Sequence, residues 1–431
     1  MKKITVLIMV FVALAVSVSA QMDNLSNLSA KWIGSNVRNA TLDGSGDMVN
    51  FNPAGLAMQK DGIYISVSNQ FLFRHPQHTY NFGAGSVTRE QDGNDPLLPM
   101  VYGAWKKNNI AISTGVYISG GGAAVNYPDG SINTTLVGFQ MLPALGAAYG
   151  YTSFKDQSLK ASSFYITVPL NFSYKFNDEL AVSIGGRYLM GNNKTKAGMT
   201  FTGSEAAPDY DMTIDYIAKA SGIGGVVGVD YKPCEKINVA IHYESKVKLE
   251  FEASDNKGTF KLEDDGKKSR RDLPAALNTG ITYDISKKLI AAVDFNYYFQ
   301  KNADWGKIVD PRTGETLETS KVAGDCFKLG LGGKYLLNEK FEFSLGGSYT
   351  AYNYDDMELY YTKMGPYEVL KYSNINIGLG AGYNVTKKIQ IDLGFMKTFW
   401  KDQTIASLYG GIPVDVQSAA SVVALGIDFR F

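Results

Sequence analysis

Apolar and polar residues alternate along many segments of the chain, which is the period of a β-strand. From Ile237 to Phe251, apolar side chains fall on one face and mostly charged or amide side chains on the other. This pattern predicts an all-β fold, with alternating segments of about ten residues. The other segments are Ile63–Arg74, Phe164–Phe176, Leu180–Gly191, Leu289–Gln300, Phe327–Tyr335, Phe341–Tyr352, Asn374–Tyr383 and Ile389–Trp400.

Short polar turns separate the segments, and each turn follows an aromatic residue on the apolar face. Aromatic rings at one level beside polar turns are typical of the girdle of a membrane barrel, because these rings favour the boundary between lipid and water. A soluble sandwich also alternates, but it leaves the repeated aromatic placement unexplained. The six aromatics are Trp105, Tyr174, Tyr231, Tyr283, Tyr335 and Tyr383.

Six turns join twelve strands in pairs, and one further strand precedes the first turn and one follows the last. This count predicts a transmembrane antiparallel β-barrel of about fourteen strands. The last strand is expected from about Ser421 to Phe431, with its end at the periplasm. The long connections then lie on the extracellular side.

The N-terminal part of the chain lacks this period. Residues 1–20 have the basic start, apolar run and small-residue end of a secretory signal, so the mature chain is expected to begin at Gln21. Residues 21–60 include the glycine- and proline-containing stretch Gly44–Met58. An irregular stretch must be enclosed by something larger, so we predict a plug inside a barrel formed by residues 61–431.

Composition limits the function. The formal charge is balanced, which gives no electrostatic case for nucleic-acid binding. The three histidines, His75, His78 and His242, show no clear catalytic or metal-binding grouping, so we expect no enzyme, no metal and no cofactor. A disulfide between Cys234 and Cys326 is not favoured, because their contexts differ.

Glycine recurs at predicted lumen positions of the later strands. Because glycine weakens a strand, its presence there indicates either a close approach by something inside the barrel or bends in the wall. The positions are Gly330, Gly332, Gly378, Gly380 and Gly394.

Taken together, the signal, the strands and three short motifs make the chain similar to the FadL-type outer-membrane transporters of long-chain fatty acids and other hydrophobic compounds. The motifs are Asn52-Pro53-Ala54, the stretch Tyr243–Phe251, and Leu273-Pro274. The resemblance implies that the N-terminal segment is a hatch, that Asn52, Pro53 and Ala54 belong to it, and that substrate diffuses passively.

The resemblance also implies a kink in the third strand that makes a side opening. The matching strand here is Ile110–Gly120, which runs into a glycine-rich stretch, and glycines can bulge a strand. Ser119, Gly120 and Gly121 are therefore the candidates for the kink and the lateral opening. A flexible loop at the outer end of the strand is the alternative. We expect the hatch triplet to contact the wall near these glycines.

Ligand-binding candidates come from two sets of residues. Phe139, Leu142 and Leu145 lie in a predicted extracellular loop that is more apolar than an exposed loop should be; they form a groove or pack within their loop. A buried fatty-acid carboxylate needs a cationic partner. Arg187, Lys194 and Lys328 are the lumen-facing candidates, and the resemblance implies a basic residue at Lys328.

The sequence therefore predicts a passive outer-membrane channel for hydrophobic molecules such as long-chain fatty acids. The alternative is a binding, adhesion or porin-like barrel without hydrophobic transport. The expected partners are the hydrophobic ligand, outer-membrane lipids including lipopolysaccharide, and the barrel assembly machinery; the protein is expected to be a monomer.

Overall fold

The computed structural model describes residues 29–81, 85–92, 94–120, 124–254, 256–363, 372–406 and 411–431. The predicted signal segment, residues 1–20, lies outside these residues. Fourteen strands, β1 to β14, form the wall of one closed antiparallel barrel. They are β1 (Gly62–Arg74), β2 (Asn94–Lys107), β3 (Ile110–Gly120), β4 (Ser153–Lys175), β5 (Leu180–Thr202), β6 (Tyr210–Cys234), β7 (Ile237–Glu244), β8 (Ala275–Asp284), β9 (Leu289–Phe299), β10 (Cys326–Leu336), β11 (Phe341–Tyr352), β12 (Asn374–Thr386), β13 (Ile389–Trp400) and β14 (Ala419–Arg430).

Each wall strand pairs with its neighbours in sequence, and the first strand pairs with the last. The register of closure aligns Tyr64 with Arg430 and Arg74 with Ala420. Closure leaves neither the first nor the last strand as a free sheet edge, so their backbone groups are paired without water. The predicted barrel and its strand number are confirmed.

The outer face of the wall is apolar. Ile184, Ile223 and Leu331 point outward and are 64%, 75% and 66% exposed. The aromatics before five of the predicted turns are also outward and exposed: Trp105, Tyr231, Tyr283, Tyr335 and Tyr383. The inward positions carry buried polar side chains such as Asn171, Ser183 and Asn376. This inverted pattern is that of a barrel in lipid.

Strands β4, β5 and β6 are much longer than the membrane requires. They have 23, 23 and 25 residues, whereas about 9 to 11 residues span a bilayer. Their outer halves therefore extend beyond the membrane on the side of the long connections, which is the predicted extracellular side.

The connections carry further elements, and several pack together above the barrel. The helices of the chain are α1 (Ala30–Ser35), α2 (Met48–Phe51), α3 (Ile132–Tyr149), α4 (Thr319–Ala323) and α5 (Met357–Lys363), with 3₁₀ turns at Ala54–Met58 and Gln300–Asn302. The short strands are Gln77–Asn81, Ser86–Glu90, Val125–Tyr127, Glu250–Ser254, Lys268–Arg270, Lys307–Val309, Thr316–Glu318, Gln403–Ala406 and Pro413–Gln417. Among the described residues, none of the helices is both long and apolar enough to cross a membrane.

We call one group of these connections the extracellular cap. It combines a four-stranded sheet, formed by 77–81, 86–90, 403–406 and 413–417, with α4, α5 and the start of α3. Its shared core contains Tyr80, Ile132, Trp305, Val322, Leu359, Tyr360, Val414 and Val416.

One predicted strand is wrong. The segment Ile237–Phe251 is not continuous, because β7 ends at Glu244 and Val247 makes only an isolated bridge with Leu273. The break turns Val247, Leu249 and Phe251 inward, where all three are buried, although alternation assigns them to the lipid face. Alternation predicts the face of each side chain only while the strand is regular, since one irregular residue moves all later side chains to the opposite face of the sheet.

Candidate functional site

The N-terminal segment lies directly against the inner face of the wall. Carbonyl oxygens of this segment point at wall glycines: the Ile33 oxygen at Gly378 and the Ser35 oxygen at Gly332 and Gly346. A Cβ atom at any of these glycines would lie well under 3.0 Å from that oxygen, a distance that real Cβ atoms essentially never show. The same holds for Gly330, which faces the Asn36 oxygen, and for Gly394, which faces the Ala30 oxygen. A Cβ atom at Gly380 would instead meet the Ser344 hydroxyl of the wall and, at 3.0 Å, the Gly34 Cα of the segment. The close approach accounts for the lumen glycines better than bends in the wall do.

Charged groups also tie the segment to the wall. The Lys31 ammonium lies 2.6 Å from the Asp428 carboxylate and 3.8 Å from those of Asp392 and Asp43. Burial alone would lower the pKa of Lys31, but the three carboxylates outweigh it and raise that pKa above its ordinary value. Lys31 is therefore charged, and it holds α1 to β13 and β14.

A second cation completes this cluster within the segment. The Arg38 guanidinium contacts Asp43, with 2.7 Å between Nη1 and Oδ2, and donates to Asp47. Lys334 of β10 lies 3.4 Å from Asp43. Burial would raise the pKa of Asp43, but Arg38, Lys31 and Lys334 hold it well below its usual range. We call Lys31, Arg38, Asp43, Asp47, Lys334, Asp392 and Asp428 the charge cluster.

The predicted hatch triplet contacts a different part of the wall than expected. The Asn52 amide donates to Asp230 of β6 at 2.6 Å, and the Pro53 carbonyl accepts a bond from Ser173 of β4 at 2.7 Å. Ala54 lies near Gly228 of β6. These contacts are made at β4 and β6, and not at the third-strand glycines.

The wall is incomplete at the third strand. In the described part of the chain, the ladder between β2 and β3 ends at the pair Val101–Val116, although β3 continues to Gly120. Beyond Val116, β3 pairs with β4 alone, and its register slips by one residue between Ile118 and Gly120. Ser119 lies at the slip, Gly120 ends the strand, and Gly121 lies outside the described residues.

Proline explains where the ladder ends. Pro99 lies in β2 two residues before Val101, and a proline has no N–H to donate to a neighbouring strand. Ser119 is instead bonded towards β4: it accepts from the Thr167 hydroxyl at 2.6 Å and donates to the Tyr165 carbonyl at 3.3 Å. Pro99 is a signal that the sequence analysis missed.

An apolar cluster inside the barrel faces this break, and we call it the lumen cluster. A Cβ atom on Gly120 would lie 3.3 Å from the ring of Tyr165 and 3.5 Å from Leu273. The cluster comprises Tyr165, Leu189, Ala218, Val247, Leu249, Phe251, Leu273, Ala276, Tyr298 and Cys326. Cys326 and the exposed Cys234 are not joined by a disulfide. The inward turn at Val247 and Leu249, which alternation did not predict, builds much of this apolar surface.

Two of the three predicted cations face the lumen. Arg187 is 1% exposed and is paired with Glu244, and it donates to the Ser245 carbonyl at 2.9 Å. Lys328 lies over the ring of Trp32, 4.6 Å from its centroid. A ligand carboxylate would have to compete with Glu244 for Arg187.

The prediction for Lys194 is wrong. Lys194 is exposed on the outer face of β5, while its neighbours Asn193 and Thr195 point inward and are buried. Arg187 and Lys194 are seven positions apart in an unbroken strand, and an odd spacing places two side chains on opposite faces.

The predicted apolar loop contains helix α3. Leu145 is 5% exposed and Leu142 is partly buried, both packed against the outer halves of β4 and β5 through residues such as Phe201. Phe139 is 46% exposed and meets Phe154 edge to face. The helix thus combines a packed face with one exposed aromatic ring.

Two small cavities lie beside the N-terminal segment inside the barrel. A cavity of about 40 Å³ is bordered by Trp32, Tyr117, Ser119, Arg187 and Lys328, among others. A larger cavity of about 210 Å³ lies at the periplasmic end, between the N-terminal segment and strands β6 to β13. Sites for small molecules usually measure about 300 to 1,000 Å³, so neither of these two cavities has the volume of such a site.

His242 and His78 lie in different parts of the molecule. His242 is buried in the lumen wall with its Nε2 3.8 Å from Glu244, whereas His78 lies in the extracellular cap. Within the described ranges, no three His, Cys, Asp or Glu side chains could together hold a metal ion.

Comparisons with known proteins agree with this architecture. No curated protein sequence matches the chain. A FadL homologue from Pseudomonas aeruginosa has a TM-score of 0.69 at 12% identity, with 96% of this chain and 99% of that chain covered. The toluene transporter TodX of P. putida has a TM-score of 0.66 at 12% identity, with 95% and 99% covered. The Ralstonia pickettii toluene transporter TbuX has a TM-score of 0.59 at 16% identity, with 94% and 99% covered.

These likenesses establish the fold, and a family model goes further. The model described as "Outer membrane protein transport protein (OMPP1/FadL/TodX)" matches residues 10–431. This is a family of transport proteins for hydrophobic compounds and not of enzymes, and its members are located in the outer membrane. The chain therefore belongs to the OMPP1/FadL/TodX family of outer membrane transport proteins.

Proposed function

We propose that the protein is a channel for the passive uptake of hydrophobic molecules such as long-chain fatty acids, and that substrate leaves the lumen sideways through the wall at β3. The observation that carries the proposal is the end of the β2–β3 ladder at Val101–Val116, beside the lumen cluster. An apolar molecule released there passes from an apolar interior into the hydrocarbon of the membrane without crossing the polar periplasmic mouth.

The N-terminal segment is the hatch of this proposal. It lies against the inner wall and borders both cavities through residues such as Trp32 and Lys31. Because neither of these two cavities has room for a fatty acid, substrate binding there requires the hatch or the lumen cluster to move. Deletion of residues 21–58 should therefore turn the closed barrel into a steady water-filled pore.

Ligand enters this scheme from the extracellular side. Phe139 of α3 provides the exposed part of the outer apolar surface, Leu142 and Leu145 support it by packing against β4 and β5, and the lumen cluster follows it towards β3. Arg187 and Lys328 are the candidate partners of a carboxylate, Arg187 only if Glu244 is displaced. Membrane insertion by the barrel assembly machinery and function as a monomer are part of the same proposal.

A reversible crosslink across the break tests the exit. Leu98 and Ser119 would face each other if the register of Val101–Val116 continued, so a Leu98→Cys/Ser119→Cys pair can close the wall in a Cys234→Ser background. We expect oxidation to reduce the uptake of radiolabelled oleate at least severalfold in cells lacking their own transporter, and dithiothreitol to restore it.

The matched controls are the two single cysteine variants, whose uptake should not respond to oxidant. Unchanged uptake in the fully crosslinked pair would refute the lateral exit. Absence of oleate uptake in the unmodified protein, together with steady large conductance in planar bilayers, would favour the porin-like alternative.

A further inference from the structure

Three lysines form a basic patch on the outer face of β4, β5 and β6, immediately above the apolar band. Lys160, Lys194 and Lys219 are all exposed and lie on adjacent strands. The registers bring them together: Lys194 lies opposite Ser162 and Ile217, Lys160 lies opposite Lys196, and Lys219 lies opposite Asn192. The patch is therefore one continuous surface of the wall, although its members are far apart in sequence.

The height of the patch is the same on all three strands. Each lysine lies four residues beyond an outward apolar side chain: Phe164 on β4, Met190 on β5 and Ile223 on β6. Four residues along a tilted strand rise by about 10 Å, which reaches the level of lipid headgroups above the hydrocarbon. Lysine stems can also bend towards the membrane while the ammonium groups stay in the polar layer.

Nearby carboxylates are engaged with other lysines. Lys196 pairs with Asp215 at 3.0 Å. Glu252 lies opposite Lys219 in the ladder, but its carboxylate is 3.9 Å from Lys268, which also pairs with Glu250 at 3.0 Å. Among the residues that the structure describes, Lys160, Lys194 and Lys219 have no carboxylate within salt-bridge distance. The patch therefore carries uncompensated positive charge.

We propose that this patch binds the phosphate groups of a glycolipid in the outer leaflet of the outer membrane. Three ammonium groups on a rigid sheet, at headgroup height, match two or more phosphates on one lipid headgroup. The partner is thus a phosphorylated lipid that abuts the wall at β4 to β6. This site is independent of the transport route, because its side chains point away from the lumen.

The test measures lipid binding to the purified full-length protein in detergent by native mass spectrometry. The probes are bisphosphorylated lipid A and the same lipid with its phosphates removed. We expect the phosphorylated lipid to bind and the dephosphorylated lipid to bind at least about tenfold more weakly. The triple variant Lys160→Gln/Lys194→Gln/Lys219→Gln should lose affinity for the phosphorylated lipid by a similar factor.

A matched control removes three lysines of the periplasmic turns, which are also exposed: Lys287→Gln/Lys340→Gln/Lys387→Gln. This variant should bind within about twofold of the unmodified protein, because its lysines lie at the opposite end of the barrel. The single variant Lys194→Gln, with heat-modified gel migration as a check on folding, should show an intermediate loss of affinity.

Equal binding of the two lipids, or unchanged affinity in the triple variant, would overturn the proposal. The same affinity loss in the periplasmic control would overturn it as well, since it would indicate a general effect of net charge.

Discussion

Single glycines decide how closely the N-terminal segment can approach the wall. At Gly332, Gly346 and Gly378 the missing side chain is replaced by a carbonyl oxygen of the segment. The sequence signals these positions because glycine is otherwise unfavourable in a strand. It does not identify which carbonyl fills each position, because that depends on the path of an irregular segment.

Gly346→Ala tests this packing. Its added methyl group would overlap the Ser35 oxygen, so the segment must shift away from β11. We expect a loss of about 1 to 3 kcal/mol of stability and partial release of the hatch. Sensitivity of cells to vancomycin, which a closed barrel excludes, should increase.

Gly103→Ala is the matched control, because no atom lies within 4 Å of a Cβ atom at that strand position. Equal vancomycin sensitivity in the two variants would show that the contact with Ser35 does not hold the segment.

Among the elements, the N-terminal segment depends on charge more than on regular structure. Helix α1 has only six residues and has no independent stability in water. Its end is fixed by Lys31, whose ion pairs reach β13 and β14. The charge cluster could not be predicted, because its members come from positions as far apart as Lys31 and Asp428.

Replacing Lys31 by methionine should detach α1 from the wall. Loss of this cation leaves the buried carboxylates of Asp392 and Asp428 uncompensated, which costs about 3 to 5 kcal/mol in comparable cases. We expect faster hydrogen exchange in residues 29–58 and the appearance of transient conductance in planar bilayers.

The double variant Lys31→Met/Asp428→Asn should recover part of the protection, because it removes one of the two uncompensated buried charges. Lys60→Met, at the exposed last position of the segment, should leave exchange unchanged. Exchange in Lys31→Met equal to that of the unmodified protein would refute the role of the charge cluster.

The strands themselves were largely predictable. Alternation located β11 and β13 with their bounds, since each keeps one face in lipid along its whole length. Alternation was wrong at Ser245–Leu249, where the ladder breaks. It was also wrong at Lys194, where the outer face lies above the membrane and carries a charged side chain instead of an apolar one. At such positions side-chain character no longer identifies the face.

At the scale of the whole molecule, the sequence specified the barrel because its repeated turns and alternation are local signals. The extracellular cap and the third-strand break were harder to predict. The cap core joins residues from several loops, such as Tyr80, Trp305 and Leu359, which share no local period. The kink candidates Ser119 and Gly120 do lie at the register slip, but the ladder ends earlier, opposite the β2 segment that contains Pro99.

The cap should also respond to pH through a buried histidine. His78 is 1% exposed, and its Nε2 accepts the Ile132 N–H at 2.9 Å, at the start of α3. Burial, with a smaller effect of Arg89 across the sheet, lowers the pKa of His78 from 6.5 to about 3. Protonation would remove the acceptor and place a cation against the positive end of the helix.

The sign follows from the two pKa values. Between pH 6.5 and about 3 the open cap binds the proton more readily than the closed cap, so the stability of the cap falls as the pH falls. The loss is at most about 1.4 kcal/mol per pH unit, or about 2 kcal/mol at pH 5, and none is expected above pH 7. Hydrogen exchange at Ile132–Leu136, corrected for intrinsic rates, should therefore accelerate when the pH is lowered from 7 to 5.

His78→Asn should remove this acceleration, whereas His75→Asn, at an exposed position, should retain it. Acceleration that persists unchanged in His78→Asn would assign the pH response to another group of the cap.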